Sequence, residues 1–304
     1  MTSRTRSLAL LAAALVFGSS GVAGAQAFPD TTSEGLPNIQ SYSAIIVDLD
    51  SGDVLYEKDA DEVRYVASTS KIFTAMALRR AGLELDEITE ITGYDQTYAA
   101  RGARSRLRVG RSFRNRDLLE ALLVASDNRA ATALARAIGT DTDELVGKMN
   151  DVAAGLGLEH TELTDPSGLN GNASTARELA AAFQASMSDP LIAEIMGTET
   201  TEVRSRDERG LEISYRNTNR ALHSDRYEVI AGKTGYTSPA LYCLAIAAEI
   251  GSRRVAMVFL GSYGRLTRYG DFSRAEKWLR ELSSAESTHT VHVGDVKAQV
   301  PAGE

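Results

Sequence analysis

The sequence predicts an α+β fold in which strands from both ends of the chain form one sheet and helices fill the middle. Four runs have the length and apolar content of strands, namely residues 43–48, 54–57, 241–250 and 255–260. The first two flank Asp50-Ser51-Gly52, a turn signal that predicts a hairpin. Helical apolar spacing dominates residues 71–196. We therefore expect a sandwich in which distant segments close one sheet.

Local signals mark several helix ends. Thr175 with Glu178 has the spacing of a capping box, and Asp189-Pro190 places a capping side chain before a proline in the first turn. A last amphipathic helix is predicted over residues 272–282. These elements extend the expected helical content to the end of the fold.

An N-terminal leader precedes the fold. Two arginines come before the apolar run 8–17, and small residues lead to cleavage after Ala25 or Ala27. The apolar run is too short to span a membrane, and no cysteine follows it to carry a lipid. We therefore expect an exported protein of the periplasmic or cell-wall space, without a membrane anchor.

The rest of the chain is expected to form one domain. After a signal peptide of residues 1–25, residues 38–284 carry the predicted elements, and residues 285–304 form a polar, loosely held tail. The only cysteine, Cys243, cannot form an intramolecular disulfide. About 280 mature residues are enough to rely on a hydrophobic core instead.

The charge balance argues against nucleic acid as a partner. The chain has 33 Lys+Arg against 41 Asp+Glu, a formal net charge of -8. One segment is basic, with Arg101, Arg104, Arg106, Arg108, Arg111, Arg114 and Arg116. It contains a single aromatic residue, so a solvated hairpin is expected there. Contact with an anionic cell-wall polymer is the alternative.

The first chemical motif is Ser68-Thr69-Ser70-Lys71. A serine hydroxyl needs a base within hydrogen-bond reach, and three residues along a helix return to the same face. Lys71 can therefore act as base for Ser68 if its pKa is lowered, by burial or by a second cation such as Lys233. Alone, the motif could equally be a helix cap followed by a solvated lysine.

The second motif, Ser126-Asp127-Asn128, lies between two predicted helices. Ser126 can relay a proton to a leaving amine, and Asn128 can hold Lys71 or a substrate amide. The same residues are also common in ordinary capping turns.

The third motif is Lys233-Thr234-Gly235. Lys233 and Thr234 can bind a carboxylate, and the glycine lets an extended substrate lie against the chain. The backbone amides of Tyr236 and Ser68 can form an oxyanion hole. An ordinary junction between turn and strand is the alternative for this motif alone. The three motifs together supply acyl transfer without histidine.

Other chemistries have little support. None of the four histidines has metal-ligand spacing, and no phosphate-cradling glycine motif occurs. A triad built on His160 or His223 lacks a nucleophile-elbow pattern. We expect no metal and no cofactor.

With all three motifs, the chain resembles the low-molecular-mass penicillin-binding proteins, the serine D-Ala-D-Ala peptidases of peptidoglycan. The likeness covers residues 38–284 and includes Asp165-Pro166-Ser167-Gly168-Leu169 and Gly232-Lys233-Thr234-Gly235-Tyr236-Thr237. It implies the transpeptidase-like fold shared with β-lactamases, an antiparallel sheet between helical layers plus a helical lobe. It also implies peptidoglycan stem peptides as substrates and β-lactam antibiotics as covalent inhibitors.

The resemblance also implies residue roles. Ser68 corresponds to the acyl-ester nucleophile, Lys71 to the general base, Ser126 to the proton relay and Lys233 to the carboxylate anchor.

Two features favour the D-alanyl-D-alanine endopeptidase branch over the carboxypeptidases. The chain shows no β-rich second domain and no amphipathic anchor helix after the catalytic segment. Arg216-Asn217-Thr218-Asn219 also resembles the endopeptidases, since many carboxypeptidases have an arginine between the two asparagines. Carboxypeptidase activity is the alternative.

Two further functions are less well supported. A β-lactamase needs a carboxylate that holds a deacylating water, and Glu162 falls in the right region without the Glu-x-x-Leu-Asn pattern. A non-catalytic module that binds peptidoglycan or drug would not need the complete catalytic set.

Overall fold

The computed structural model of the chain describes residues 28–208 and 210–292. The predicted signal peptide and the last twelve residues of the predicted tail lie outside these ranges. Within the described part, no helix has the length and apolar character needed to cross a bilayer.

The molecule is built on a five-stranded sheet in the order β2-β1-β11-β10-β9. Its strands are β1 (Ser43–Asp48), β2 (Val54–Lys58), β9 (Glu228–Thr237), β10 (Leu241–Ile250) and β11 (Arg253–Ser262). All neighbouring strands are antiparallel. Strand β1, from the N-terminal part of the chain, pairs with β11, from the C-terminal part, and Ser43 lies opposite Leu260. The prediction that distant segments close one sheet is confirmed.

Three short ribbons accompany the sheet. They are β3 (Arg64–Tyr65) with β6 (Ala173–Ser174), β4 (Ile88–Glu90) with β5 (Ser112–Arg114), and β7 (Thr200–Arg204) with β8 (Glu212–Arg216).

Eight helices occur in the described residues. They are α1 (Lys71–Arg80), α2 (Gly93–Tyr98), α3 (Asn115–Leu123), α4 (Asn128–Ala137), α5 (Thr142–Gly155), α6 (Ala176–Met187), α7 (Pro190–Gly197) and α8 (Thr267–His292). Helix α8 covers one face of the sheet, and the other face packs against the remaining helices. Strand β1 shows the two faces, because Ile45 points into the helical core while Ala44 and Ile46 point toward α8.

Helix α1 lies at the centre of the helical core. Every residue from Lys71 to Leu78 is buried, and only the last turn, which contains Arg80, reaches solvent. The helix ends before Gly82, which has a left-handed φ of 77°. Lys71, at the start of this helix, is fully buried.

Two local predictions, the bounds of the last helix and the capping box, were wrong. Helix α8 extends beyond residues 272–282, and the first part of the predicted tail is helical because no glycine or proline interrupts residues 271–293. Thr175 does cap α6, but the Glu178 carboxylate binds His160 and Thr161 instead of closing a capping box.

The basic segment is not a solvated hairpin. Its strand β5 pairs with β4, which lies before the segment, and Arg116 is already part of α3. Several of its arginines bind partners elsewhere, since Arg111 pairs with Asp207 and Arg116 with Glu194. Long-range ion pairs, which a sequence pattern does not encode, decide this arrangement.

Candidate active site

Ser68 lies in a 3₁₀ turn, Ala67–Ser70, that leads directly into α1. Ala67 has a positive φ of 48°, a conformation that is costly for a residue with a side chain. The turn places Ser68 above Lys71, whose Nζ donates a hydrogen bond to Ser68 Oγ at 2.9 Å. The predicted pair is therefore formed.

The Lys71 amine is enclosed on all sides. Besides Ser68 Oγ, Nζ donates to Asn128 Oδ1 at 2.7 Å and to the Ser167 carbonyl. Burial lowers the pKa of Lys71 from 10.5 to about 7, and the charges of Asp165 and Asp127 oppose that change. The lysine thus exchanges its proton near neutral pH. Of the two causes that the sequence left open, burial is the main one.

The second motif forms the corner between α3 and α4. Asp127 caps α4 by accepting from the Arg129 amide at 3.0 Å, and it also accepts from Ser105 Oγ at 2.7 Å. Ser126 has a φ of 59°, and its Oγ accepts a hydrogen bond from Lys233 Nζ at 2.9 Å. The motif is a capping turn and a part of the site at once.

The third motif lies within strand β9 rather than at a junction of turn and strand. This strand forms the edge of the sheet. A Cβ added at Gly235 would lie 2.8 Å from the Val66 carbonyl and 3.0 Å from the Ser68 amide nitrogen. Only glycine lets the edge strand approach the nucleophile's backbone so closely.

Lys233 is buried beneath the same edge. Burial lowers its pKa well below 10.5, and the charges of Lys71 and Arg268 lower it further. Next to it, Thr234 Oγ1 donates to Thr218 Oγ1 at 2.8 Å. The structure thus brings Thr218 to the Lys233-Thr234 end of the site.

The segment 165–172 supports the nucleophile from below, a role that the sequence pattern did not indicate. The Ser167 carbonyl accepts from both Ser68 Oγ (3.1 Å) and Lys71 Nζ. Asp165, fully buried, accepts from Ser167 Oγ at 2.8 Å and from the hydroxyl of Tyr98 at 2.9 Å. This carboxylate therefore fixes the position of the carbonyl that holds both reacting side chains.

Arg268 is a second residue that the sequence did not single out. It comes from α8, is 6% exposed, and donates to the carbonyls of Gly235 (3.0 Å) and Cys243 (2.7 Å). Burial lowers its pKa. No local motif surrounds it, so only the packing of α8 on the sheet reveals its place.

These groups surround a cleft of about 1070 Å³. Of the predicted residues, Ser68, Ser126, Asn128, Thr234, Gly235 and Tyr236 line it, whereas Lys71 and Lys233 lie buried beneath its floor. The lining includes Arg101, Arg216, Arg220, Arg265 and Arg268 and no aspartate or glutamate. The cleft is therefore cationic and suits an anionic ligand.

The alternative chemistries find no support in the geometry. His160 binds Glu178, and His223 lies 3.0 Å from the Asn217 carbonyl, so neither imidazole is placed beside a serine nucleophile. Glu162 is exposed and does not line the cleft. Across residues 28–208 and 210–292, no cluster of three metal-binding side chains occurs.

Comparison with known proteins identifies the family of the chain. A family model described as D-alanyl-D-alanine carboxypeptidase (peptidase family S11) matches residues 30–264. The D-alanyl-D-alanine endopeptidase of Escherichia coli is 35% identical over 249 residues, 82% of this chain and 80% of that protein. The protein of the same name from Pseudomonas aeruginosa is 34% identical, over 89% and 88% of the two chains. A D-alanyl-D-alanine carboxypeptidase of Mycobacterium tuberculosis is 35% identical, over 77% and 79%.

Solved structures give the same result. The DD-transpeptidase of Streptomyces K15 superimposes with a TM-score of 0.75 at 28% identity, covering 80% of this chain and 97% of that one. A D-alanyl-D-alanine carboxypeptidase of Mycobacterium tuberculosis gives a TM-score of 0.73 at 31% identity, covering 84% and 94%. The chain belongs to the S11 family of serine D-Ala-D-Ala peptidases, and the expected penicillin-binding-protein fold is confirmed.

Proposed function

We propose that this S11 peptidase cleaves D-Ala peptide bonds of peptidoglycan through an acyl-enzyme on Ser68, and that crosslinks between stem peptides are its preferred substrate. The observation that carries the proposal is the buried Lys71 amine, 2.9 Å from Ser68 Oγ, with a pKa of about 7. A neutral amine at this distance can accept the serine proton as the hydroxyl attacks a carbonyl.

The surrounding groups supply the remaining steps. Ser68 Oγ forms a bond to the D-Ala carbonyl carbon, and its proton passes to Lys71 Nζ. The backbone amides of Ser68 and Tyr236 stabilise the oxyanion, which the close approach of Gly235 to the turn supports. The C–N bond then breaks, and Ser126, held by Lys233 Nζ at 2.9 Å, gives a proton to the leaving amine, while the proton taken up by Lys71 is returned to replace it. Water then attacks the ester carbonyl carbon: its hydroxyl stays on the released acid, and its proton returns through Lys71 to Ser68 Oγ as the ester C–O bond breaks.

The binding groups follow from the same geometry. Asn128 orients Lys71 through the bond of 2.7 Å and leaves its amide NH₂ for the substrate. Lys233 and Thr234 anchor a carboxylate on the leaving side, and the free edge of β9 binds the extended peptide as an added strand.

The preference for crosslinks rests on the leaving side. A carboxypeptidase releases free D-Ala, whereas an endopeptidase releases a second stem peptide and needs open space beside Thr234. Thr218, whose side chain contacts Thr234, is small and leaves that space free. Two relatives named endopeptidase, 35% and 34% identical over most of the chain, support this choice.

The site also predicts how the enzyme reacts with penicillins. Ser68 should be acylated by β-lactams, and the adduct should persist because no carboxylate lines the cleft to activate a deacylating water. We further propose that the chain acts outside the cytoplasm, where its peptidoglycan substrate lies, as the N-terminal leader suggests.

The test compares a crosslinked muropeptide dimer with a free pentapeptide. We expect the wild-type enzyme to cleave the dimer and Ser68→Ala to cleave neither substrate. Thr218→Arg should reduce dimer cleavage about tenfold more than pentapeptide cleavage, as expected when added bulk misplaces one substrate. Ser238→Arg, which adds the same side chain beyond Tyr236, should affect both alike. Trimming of pentapeptide with no cleavage of dimers would establish the carboxypeptidase alternative instead.

A further inference from the structure

Three exposed arginines line the cleft near Thr218 and Asn128. Arg216 ends strand β8, Arg220 begins the 3₁₀ turn Arg220–His223, and Arg101 precedes Gly102. Gly102 lies against Asn128, since a Cβ added there would lie 2.0 Å from Asn128 Nδ2. The cluster formed by Arg101, Arg216 and Arg220 is called the arginine rim below.

The rim arginines differ from the other arginines near them. Arg106 donates to the Ser214 carbonyl, and Arg111 and Arg116 form ion pairs. Within the part of the chain that the structure describes, no acidic side chain lies within 4.0 Å of a rim guanidinium. All three are exposed and line the cleft. Among residues 28–208 and 210–292, therefore, none of the three rim guanidiniums has an acidic partner, and all three face the cleft.

The position of the rim relates it to the leaving group. Ser126 must stand beside the leaving amine to protonate it, and the Thr218 amide donates to the Val124 carbonyl at 3.0 Å, two residues before Ser126. The Thr218 hydroxyl also contacts the Thr234 hydroxyl at 2.8 Å, so Arg216 and Arg220, which lie two residues on either side of Thr218, are on the leaving side of the cleft. A single D-Ala carboxylate is already met by Lys233 and Thr234, so the rim lies where only a longer leaving group can extend.

We propose that the arginine rim binds carboxylates of the leaving stem peptide and selects crosslinks whose stem carboxyl groups are free rather than amidated. Guanidinium groups bind carboxylates through paired, charge-assisted hydrogen bonds, which a neutral amide cannot replace. This inference rests on the proposed endopeptidase function, because only a crosslink has a leaving stem peptide.

The test uses two crosslinked dimers that differ only in the carboxyl groups of the leaving strand, free in one and amidated in the other. The variant carries Arg101→Gln, Arg216→Gln and Arg220→Gln together. Its KM for the free-acid dimer should rise about tenfold, since three exposed charge pairs, each of them weak alone, are lost together. The kcat for that dimer and the KM for the amidated dimer should stay within about twofold of wild type.

The matched control carries Arg104→Gln and Arg108→Gln, two exposed arginines of the same segment outside the cleft, and should behave as wild type. Acylation of Ser68 by benzylpenicillin should be unchanged in both variants. Equal loss on both dimers, or no loss on the free-acid dimer, would overturn the assignment.

Two other outcomes separate the possible failures. If the wild-type enzyme cleaves both dimers equally well, the rim is not a carboxylate subsite, although the endopeptidase function stands. If it cleaves neither dimer, both proposals fail. Loss of binding to polyglycerol phosphate without any change in dimer cleavage would assign the rim to an anionic wall polymer and overturn the peptide subsite.

Discussion

Lys71→Arg should abolish acylation of Ser68, because arginine keeps the positive charge but does not give up its proton. A substitution that removed the charge would also change Lys233, because the charge at Lys71 lowers the pKa of Lys233. The variant therefore removes the base without removing positive charge from the site.

The expected size of the effect follows from the buried amine. A pKa lowered from 10.5 to about 7 means that about half of the Lys71 amines are neutral at pH 7. For a solvated lysine the neutral fraction would be roughly one in three thousand, a difference of about 5 kcal/mol between the protonation states. Loss of a positioned general base costs about 10²- to 10⁴-fold in rate. We expect a loss within or above that range.

The assay is the rate of benzylpenicillin acylation, followed by intact-protein mass spectrometry from pH 5 to 9. In the wild-type enzyme the rate should rise with pH through about 7 as Lys71 loses its proton, and then level off. Because arginine is larger than lysine in a closed site, thermal unfolding should accompany the assay. Lys71→Gln, which is smaller, should be equally inactive.

Two results would refute this reasoning. One is a Lys71→Arg variant that keeps acylation within tenfold of wild type. The other is a folded wild-type enzyme whose acylation rate does not change between pH 6 and 8. Either would transfer the role of base to Ser126 with Lys233.

Two further substitutions, and a third that serves as their control, test the segment 165–172 that holds the nucleophile in place. Gly168→Ala should lower the melting temperature and slow acylation, because its φ is +79° and the new Cβ would lie 2.3 Å from a backbone carbonyl of the nucleophile's turn. Gly171→Ala, with a φ of +92° but no atom nearer than 3.8 Å, should cost only about 1–2 kcal/mol of left-handed backbone strain and leave acylation unchanged. Asp165→Asn should move the midpoint of the pH–rate profile below that of wild type, since the carboxylate charge raises the pKa of Lys71. It should also reduce the limiting rate severalfold by loosening the Ser167 carbonyl, and an unchanged profile would exclude this positioning role.

Much of the fold was predictable because its signals are local. The strand pair at residues 43–57, the strands after residue 240 and the helical middle all follow from apolar periodicity and turn residues. The pairing of β5 with β4 was not predictable, because it depends on contacts between segments far apart in sequence.

The site divides in the same way. The sequence by itself determined which residue types are available, because a hydroxyl, two amines and an amide in three spaced motifs already constitute a set for acyl transfer. Spacing within one helix also determined that Ser68 and Lys71 share a face. Only the tertiary structure decided that the Lys71 amine is fully buried and titrates near neutral pH. Desolvation arises from every segment packed around the amine, and no local pattern encodes that sum. The same holds for Asp165, Arg268 and the arginine rim, whose positions depend on packing across the whole fold.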